Sequence, residues 1–238
     1  MTQQQRLLSP DVAQQVRSIF ESEMKEPVQI LYFTTSSGNC MYCDVTEQLL
    51  REVEELDDRI HLAVYDLEKD KEMAERYNID KVPATIIAAL NGDEIHDYGI
   101  RFFGIPAEYE FSSLLHTITQ VSKRESGLSQ ATEEFLKNLK DDINLRVFVT
   151  PSCPYCPNMV MLTHRMAIAS PRVTSEMVEA IEFPEWAAEY GVTGVPHTVI
   201  NDGLGTVIGA VPEGHLIHEI EHALMHLHGI EHDHHHHH

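Results

Sequence analysis

Apolar residues along the chain recur at two spacings. Val12, Val16, Ile19 and Phe20 repeat at three- and four-residue intervals, which predicts a helix. Ser9-Pro10 just before them supplies a capping hydroxyl and a residue already set for the first turn. The apolar run Val28 to Phe33 then predicts a buried strand, and Leu49, Leu50, Val53 and Leu56 return to helical spacing. Ile60 to Asp66 reads as a second strand and is followed by a short helix ending at Tyr77. Pro83-Ala-Thr-Ile-Ile begins a third strand, a legitimate place for proline in a sheet. Asn91-Gly92 is a hairpin signal leading into a fourth strand, and a last helix covers Phe111 to Val121.

The same series then starts again. Thr132 to Leu139 stands where the first helix stood, Leu145 to Val149 where the first strand stood, and Met159, Leu162 and Met166 give the next helical stripe. Ser175 to Ile181, a helix ending at Tyr190, Pro196-His-Thr-Val-Ile, the turn Asn201-Asp202-Gly203 and a helix over Leu216 to Leu227 complete it. Cys40 and Cys153, Cys43 and Cys156, Pro83 and Pro196, Tyr77 and Tyr190, and Asp66 and Glu179 all obey one offset of 113 residues. A register held over such widely spaced positions predicts a duplicated unit of ordinary domain size. The order αβαβαββα, twice, predicts an α/β fold of two tandem units, each a central mixed four-stranded sheet flanked by helices. Ser126-Gly127 interrupts the helical pattern between Lys123 and Ser129, so the units are expected at 1–124 and 125–230.

Composition narrows the function. Of 238 residues, 42% are apolar and 23% charged, as in a folded globular protein, and the formal charge of -21 repels phosphate backbones and anionic headgroups. Nucleic-acid and membrane partners are therefore not expected. No stretch approaches the ~20 apolar residues of a membrane span, and the first residues lack the features of a secretory signal. A cytoplasmic protein is expected, a setting in which cysteines serve catalysis or metal binding sooner than structural disulfides. Residues 231–238, mostly histidine, read as a purification tag or tag-like tail, with a native metal-binding tract as the other reading.

The four cysteines form two CxxC pairs, Cys40/Cys43 and Cys153/Cys156. Each stands between a predicted strand and a predicted helix, where free N–H groups and the helix dipole favour a thiolate. Cys40 and Cys153 are thus the expected nucleophiles. Cys43 and Cys156, one helical turn on, can attack the mixed disulfide and release the client reduced. Pro154 is expected in the first helical turn, and Pro157 is expected to bend the helix. The competing use is zinc held by all four sulfurs, but 109 residues separate the pairs, far beyond ribbon or finger spacing.

Strand, CxxC, helix, strand, helix and a Val-Pro step resembles the thioredoxin fold, and Cys153-Pro154-Tyr155-Cys156 is similar to the glutaredoxin motif. Two such units in tandem, with Met177 to Trp186 before the second Val-Pro step, resemble the glutaredoxin-like protein disulfide oxidoreductases of thermophilic archaea and bacteria. The resemblance implies redox-active disulfides Cys40-Cys43 and Cys153-Cys156, no bound cofactor and no metal. It also implies cis bonds at Val82-Pro83 and Val195-Pro196, with client contact there and at Tyr42, Pro154 and Tyr155. Two trans prolines at strand starts are the alternative reading of the residues alone.

Implied partners are client proteins and a thioredoxin-reductase-type electron donor. A peroxiredoxin is a further candidate, because the tandem-fold region of flavoprotein peroxiredoxin reductases has a similar layout with one CxxC. Six residues before each first cysteine, where thioredoxins carry a buried acid, this chain has Thr34 and Val147. Asp66 and Glu179 look like strand-end carboxylates without a catalytic role. No glutathione-binding signature stands near Gly99 or Gly209.

Other motifs carry less. His218-Glu219-Ile220-Glu221-His222 matches HExxH, but Met225 replaces the glycine that would return His228 to a zinc ion, and the repeat assigns this stretch to a terminal helix. Gly203-Leu-Gly205-Thr-Val-Ile-Gly209 runs into a strand pattern where a phosphate site needs a helix. His197, beside Pro196, reads as a polar residue at a strand edge.

Overall fold

Ser9 accepts a hydrogen bond from the Val12 N–H at 3.2 Å, and Pro10 opens α1 (Pro10–Glu23), whose Val16 and Phe20 are buried. In the computed structural model, which describes residues 5–236 and the side chains of 5–229, this helix leads into β1 (Val28–Thr34), α2 (Cys43–Glu54), β2 (Ile60–Asp66) and α3 (Lys71–Arg76). Then come β3 (Ala84–Asn91), β4 (Glu94–His96), β5 (Ile100–Phe103) and α4 (Glu110–Lys123). The second half contains α5 (Gln130–Lys137), β6 (Ile143–Val149), α6 (Cys156–Ala169), β7 (Val173–Glu179) and α7 (Pro184–Glu189). It ends with β8 (His197–Ile200), a 3-10 turn at Asn201–Gly203, β9 (Gly205–Ile208) and α8 (Glu213–His236). The tail reading, residues 231–238, falls outside the described side chains.

The two expected four-stranded sheets are joined into one. Among the described residues nine strands form a single sheet in the order β2-β1-β3-β5-β7-β6-β8-β9, with β4 beside the far end of β3. The cause is β5, which pairs on both sides, whereas its counterpart β9, set against β8 as β5 is against β3, ends the sheet. β5 pairs antiparallel with β3 through Ala84–Ile86 and parallel with β7 through Ser175–Val178. Gly99, at φ +89°, makes the approach possible: a Cβ there would stand 3.1 Å from Thr174 Cγ2, and its carbonyl accepts from the Ser175 N–H at 2.9 Å.

The sheet is covered unequally. α1, α2, α4, α5, α6 and α8 enclose the larger core, built on residues such as Phe20, Tyr32, Phe102, Leu114, Met159 and Ile220. The smaller core lies under α3 and α7 only. There Phe103 of β5 packs edge-on against Trp186 at 5.3 Å and Phe183 at 6.4 Å, and Lys81 sits 4.4 Å over the Trp186 ring, so aromatic contacts close the seam between the halves.

On the larger side α4 lies against α6, with the His116 ring nitrogen accepting from Arg165 Nε at 3.1 Å. Buried His164 of α6 donates from Nδ1 to Ser175 Oγ at 2.7 Å, because the Ser175 hydroxyl hydrogen is already given to Thr163. Burial pushes the pKa of His164 down to about 3, so the imidazole is neutral.

Candidate active site

β1, β2, β5, β7 and β6 all run the same way, so the strands that carry the two CxxC motifs end on one edge of the sheet. Both helices that follow, α2 and α6, lie on the larger-core face. β1 and β6 are four inter-strand steps apart in the sheet order, about 19 Å. Four sulfurs in two groups so placed do not converge on one zinc ion, which removes the shared-zinc reading. Among the described residues no cluster of three or more metal-ligating side chains occurs.

At the first centre Cys40 and Cys43 are joined, with S–S 2.03 Å and Cα–Cα 5.5 Å. The loop after β1 is tied down by Thr35, whose hydroxyl donates to Glu68 at 2.7 Å. Tyr42 is the residue before α2, and Met41 beside it is 86% exposed. Beneath the disulfide the fully buried Tyr32 donates its hydroxyl to the Cys43 carbonyl at 2.6 Å, and burial raises its pKa well above the phenolic range. This centre is capped from below by a neutral phenol.

At the second centre both thiols are free and buried. The Cys153 thiol donates to the Val195 carbonyl at 3.8 Å, which places the Val-Pro segment against the sulfur. Cys156, not Cys153, is the first residue of α6, and likewise Cys43 opens α2. Pro154 therefore precedes the helix, exposed beside Tyr155, while Pro157 takes the first-turn position, where a missing N–H has no helical partner and bends nothing. Burial raises the pKa of the Cys156 thiol most, followed by its hydrogen bond with Cys153, and the nearby Glu110 carboxylate adds to the effect.

Glu110 comes from the other half of the chain, at the first turn of α4. Its segment is docked on the second centre by the Tyr109 N–H, which bonds the Pro151 carbonyl at 3.2 Å. The side chain is fully buried, and Ser113 donates to Oε2 at 2.7 Å. Burial pushes its pKa up to about 7. Thr34 and Val147 stand six residues before the two first cysteines, and the buried acid of this centre comes from α4. One signal of it was present in the sequence: Glu110 is in phase with Leu114, Ile118 and Val121, an acid on an otherwise apolar stripe.

Val82-Pro83 and Val195-Pro196 are both cis, and each proline is buried just before its strand. His197 is not the strand-edge polar residue expected of it: it is 5% exposed, stacked edge-on against Phe148 at 6.5 Å in the smaller core, away from the thiols. Asp66 and Glu179 each accept two backbone N–H bonds from the turn that follows, as strand-end carboxylates do. His228 pairs with Asp141 at 2.9 Å.

A buried dithiol against a cis Val-Pro step, with a titrating carboxyl behind it, is built for thiol–disulfide exchange. Comparisons with known proteins agree. The model of the thioredoxin domain family matches residues 143–222. The solved structure of a protein disulfide oxidoreductase from Aeropyrum pernix K1 is 34% identical, covers 90% of this chain and 92% of its own, and superposes with a TM-score of 0.79. The alkylhydroperoxide reductase protein AhpF of Enterococcus faecalis is 25% identical, with a TM-score of 0.81 over 90% of this chain and 100% of that one. Its Staphylococcus aureus counterpart is 26% identical over 195 residues, 82% of this chain and 34% of the relative, so this chain spans about a third of the length of the curated relatives it matches.

Fold and site together define a thioredoxin-fold dithiol–disulfide oxidoreductase. Within that class the chain belongs to the tandem protein disulfide oxidoreductase family that includes the Aeropyrum protein.

Proposed function

We propose that the second centre is the principal catalyst of protein disulfide exchange, and that the units 1–124 and 125–230 contribute to it jointly. The observation that carries this reading is the Cys153 thiol set against the Val195 carbonyl, with the buried Glu110 carboxyl near enough to Cys156 to help raise its pKa. The Cys153 thiolate attacks one sulfur of a client disulfide and displaces the other as a thiolate, which takes a proton from solvent. Glu110 then accepts the Cys156 proton, and the Cys156 sulfur attacks Cys153 Sγ. The remaining client sulfur leaves as a thiol, with a proton returned through Glu110. The products are a client dithiol and the Cys153-Cys156 disulfide, two electrons having passed to the client.

Val82, Pro83, Val195 and Pro196 would pair with an extended client strand, and Tyr42, Pro154 and Tyr155 would line its path. Cys40-Cys43 would act as a second centre, reached more openly. A cytoplasmic setting with a thioredoxin-reductase-type donor suits a chain in which, among the described residues, no helix is long and apolar enough to cross a membrane. The test is reduction of insulin disulfides driven by a small dithiol, using protein freed of its histidine tail. Activity that Cys153→Ser abolishes supports the reading, and an inactive wild type refutes it.

A second reading, a dedicated dithiol donor to a peroxiredoxin, is favoured by the likeness to the AhpF proteins of alkyl hydroperoxide reductase. Faster re-reduction of an oxidised peroxiredoxin than of insulin would decide for it.

A further inference from the structure

Under the internal offset, Asp66 corresponds to Glu179, but Lys69 corresponds to Glu182. In the first half the strand-end carboxylate therefore has a lysine three residues on, and in the second half it has another acid. Glu182 is folded inward: its Oε2 accepts from the Ile105 N–H at 2.8 Å, and its other oxygen is buried without a hydrogen-bond partner among the described residues. Its carboxyl lies within hydrogen-bonding reach of that of Glu179, which is 2% exposed. No ion pair among the described residues includes either acid. Two carboxyls in contact without a cation hold together only while they share a proton.

The pair sits between the two redox centres. Gly104, at φ +99°, is the residue against it: a Cβ there would stand 2.6 Å from both Glu179 Cβ and Glu182 Oε2. The Gly104 N–H bonds the carbonyl of Pro83 at 2.9 Å, which fixes the cis-proline step of the first centre. The chain from Ile105 leads directly to Tyr109 and Glu110 at the second. On the other side the Ala180 N–H bonds the Val149 carbonyl at 2.8 Å, at the end of the strand that carries Cys153.

We propose that the Glu179–Glu182 pair is a proton-held latch that positions the Pro83 step of one centre and the Glu110 segment of the other, so that loss of its proton loosens both. From the end of β7 Glu182 faces Glu179, and from the segment after β5 it faces the backbone of Gly104 and Ile105. Burial, then the bond to Glu179, raises its pKa to about 8, so the latch opens within an accessible range. The inference rests on both centres being redox-active, but its test has a readout that does not.

Glu182→Gln keeps the shape and a donor to Glu179 while removing the proton that can be lost. Insulin reduction by wild type and variant is compared from about pH 6 to pH 9.5, and their ratio cancels the common rise in thiolate. The ratio of wild type to variant should fall about tenfold between pH 7 and pH 9, as one proton is lost near pH 8. Hydrogen exchange of the 103–109 amides, corrected for intrinsic rates, should lose protection over the same range in wild type and keep it in the variant. A constant ratio and equal protection overturn the latch. If Glu182→Gln fails to fold, Glu179→Gln replaces it, and the wild-type transition should then move to lower pH; an unmoved transition counts against the latch. If neither protein reduces insulin, the functional reading fails while the exchange data still decide the latch.

Discussion

The two redox centres share a sequence motif, a cis proline and a sheet edge, yet they differ in what lies beneath the second cysteine. Under Cys43 is Tyr32, a buried phenol that holds its proton throughout the neutral range. Near Cys156 is Glu110, whose carboxyl titrates at about 7. The first centre thus has a fixed hydrogen-bond donor and the second an exchangeable proton site. The difference arises because α4 of the first half brings Glu110 across the seam to the second centre, whereas Tyr32 of the first centre comes from its own β1. Duplication supplied two similar dithiols, and the unequal seam made them chemically distinct.

Exchanging the nucleophiles for serine tests this inequality most directly. Cys153→Ser should lower insulin reduction by on the order of 10³-fold, as removal of a nucleophile does, while Cys40→Ser should cost far less. Equal losses would mean that the centres act as one relay and not as unequal partners.

Phe103→Ala should destabilise the fold by about 3 kcal/mol, since it empties the aromatic seam between Trp186 and Phe183. In the folded variant, alkylation of Cys156 should change more than reduction of Cys40-Cys43, because the second centre takes its buried acid, Glu110, from across that seam.

Glu110→Gln should slow the second centre about tenfold at pH 7.5, a modest value for a lost proton acceptor. Ionised Glu110 is the acceptor, so wild-type activity should rise with pH through about 7, and the variant should lose that limb. Stability runs the other way. The folded-state pKa is raised, so the contribution of Glu110 is fully present below its unfolded value and is lost as pH rises through about 7. Thermal unfolding of wild type and variant from about pH 5 to pH 8 checks the sign.

The smallest effect belongs to Tyr32→Phe, which removes one buried hydrogen bond and should cost about 1 kcal/mol, seen as a drop of roughly 2–4 °C in Tm. It should leave the pH profile of the second centre unchanged. A shifted profile would show that the centres communicate through β1.

Much of this was legible in the residues. Val28 to Phe33 and Ile60 to Asp66 became β1 and β2 almost to the residue: β1 is buried along most of its length and reads as an apolar run, while β2, a half-exposed edge strand, keeps enough apolar residues to be read. The shared offset located both dithiols and both prolines. The pairing of β5 with β7 was not legible: Ile100-Arg-Phe-Phe is four residues long, and its partner lies more than seventy residues downstream. Glu110 escaped for a related reason. Periodicity relates a motif to residues of its own repeat, whereas the fold brings this acid to the second centre from the first repeat. Pro154 and Pro157 fall outside their expected places because the helix starts at the second cysteine of the motif and not at the first.

β5 has one more consequence, for how such a chain can be divided and inherited. A cut between Lys123 and Ser129 that lets the halves drift apart would strip Ile100–Phe103 from β7 and leave its ladder groups along Ser175–Val178 as an open edge, a template for pairing with other chains. The same cut would take Glu110 from Cys156. The repeats look interchangeable on paper, but the second cannot be lent to another protein or kept alone; whatever preserves one copy preserves both.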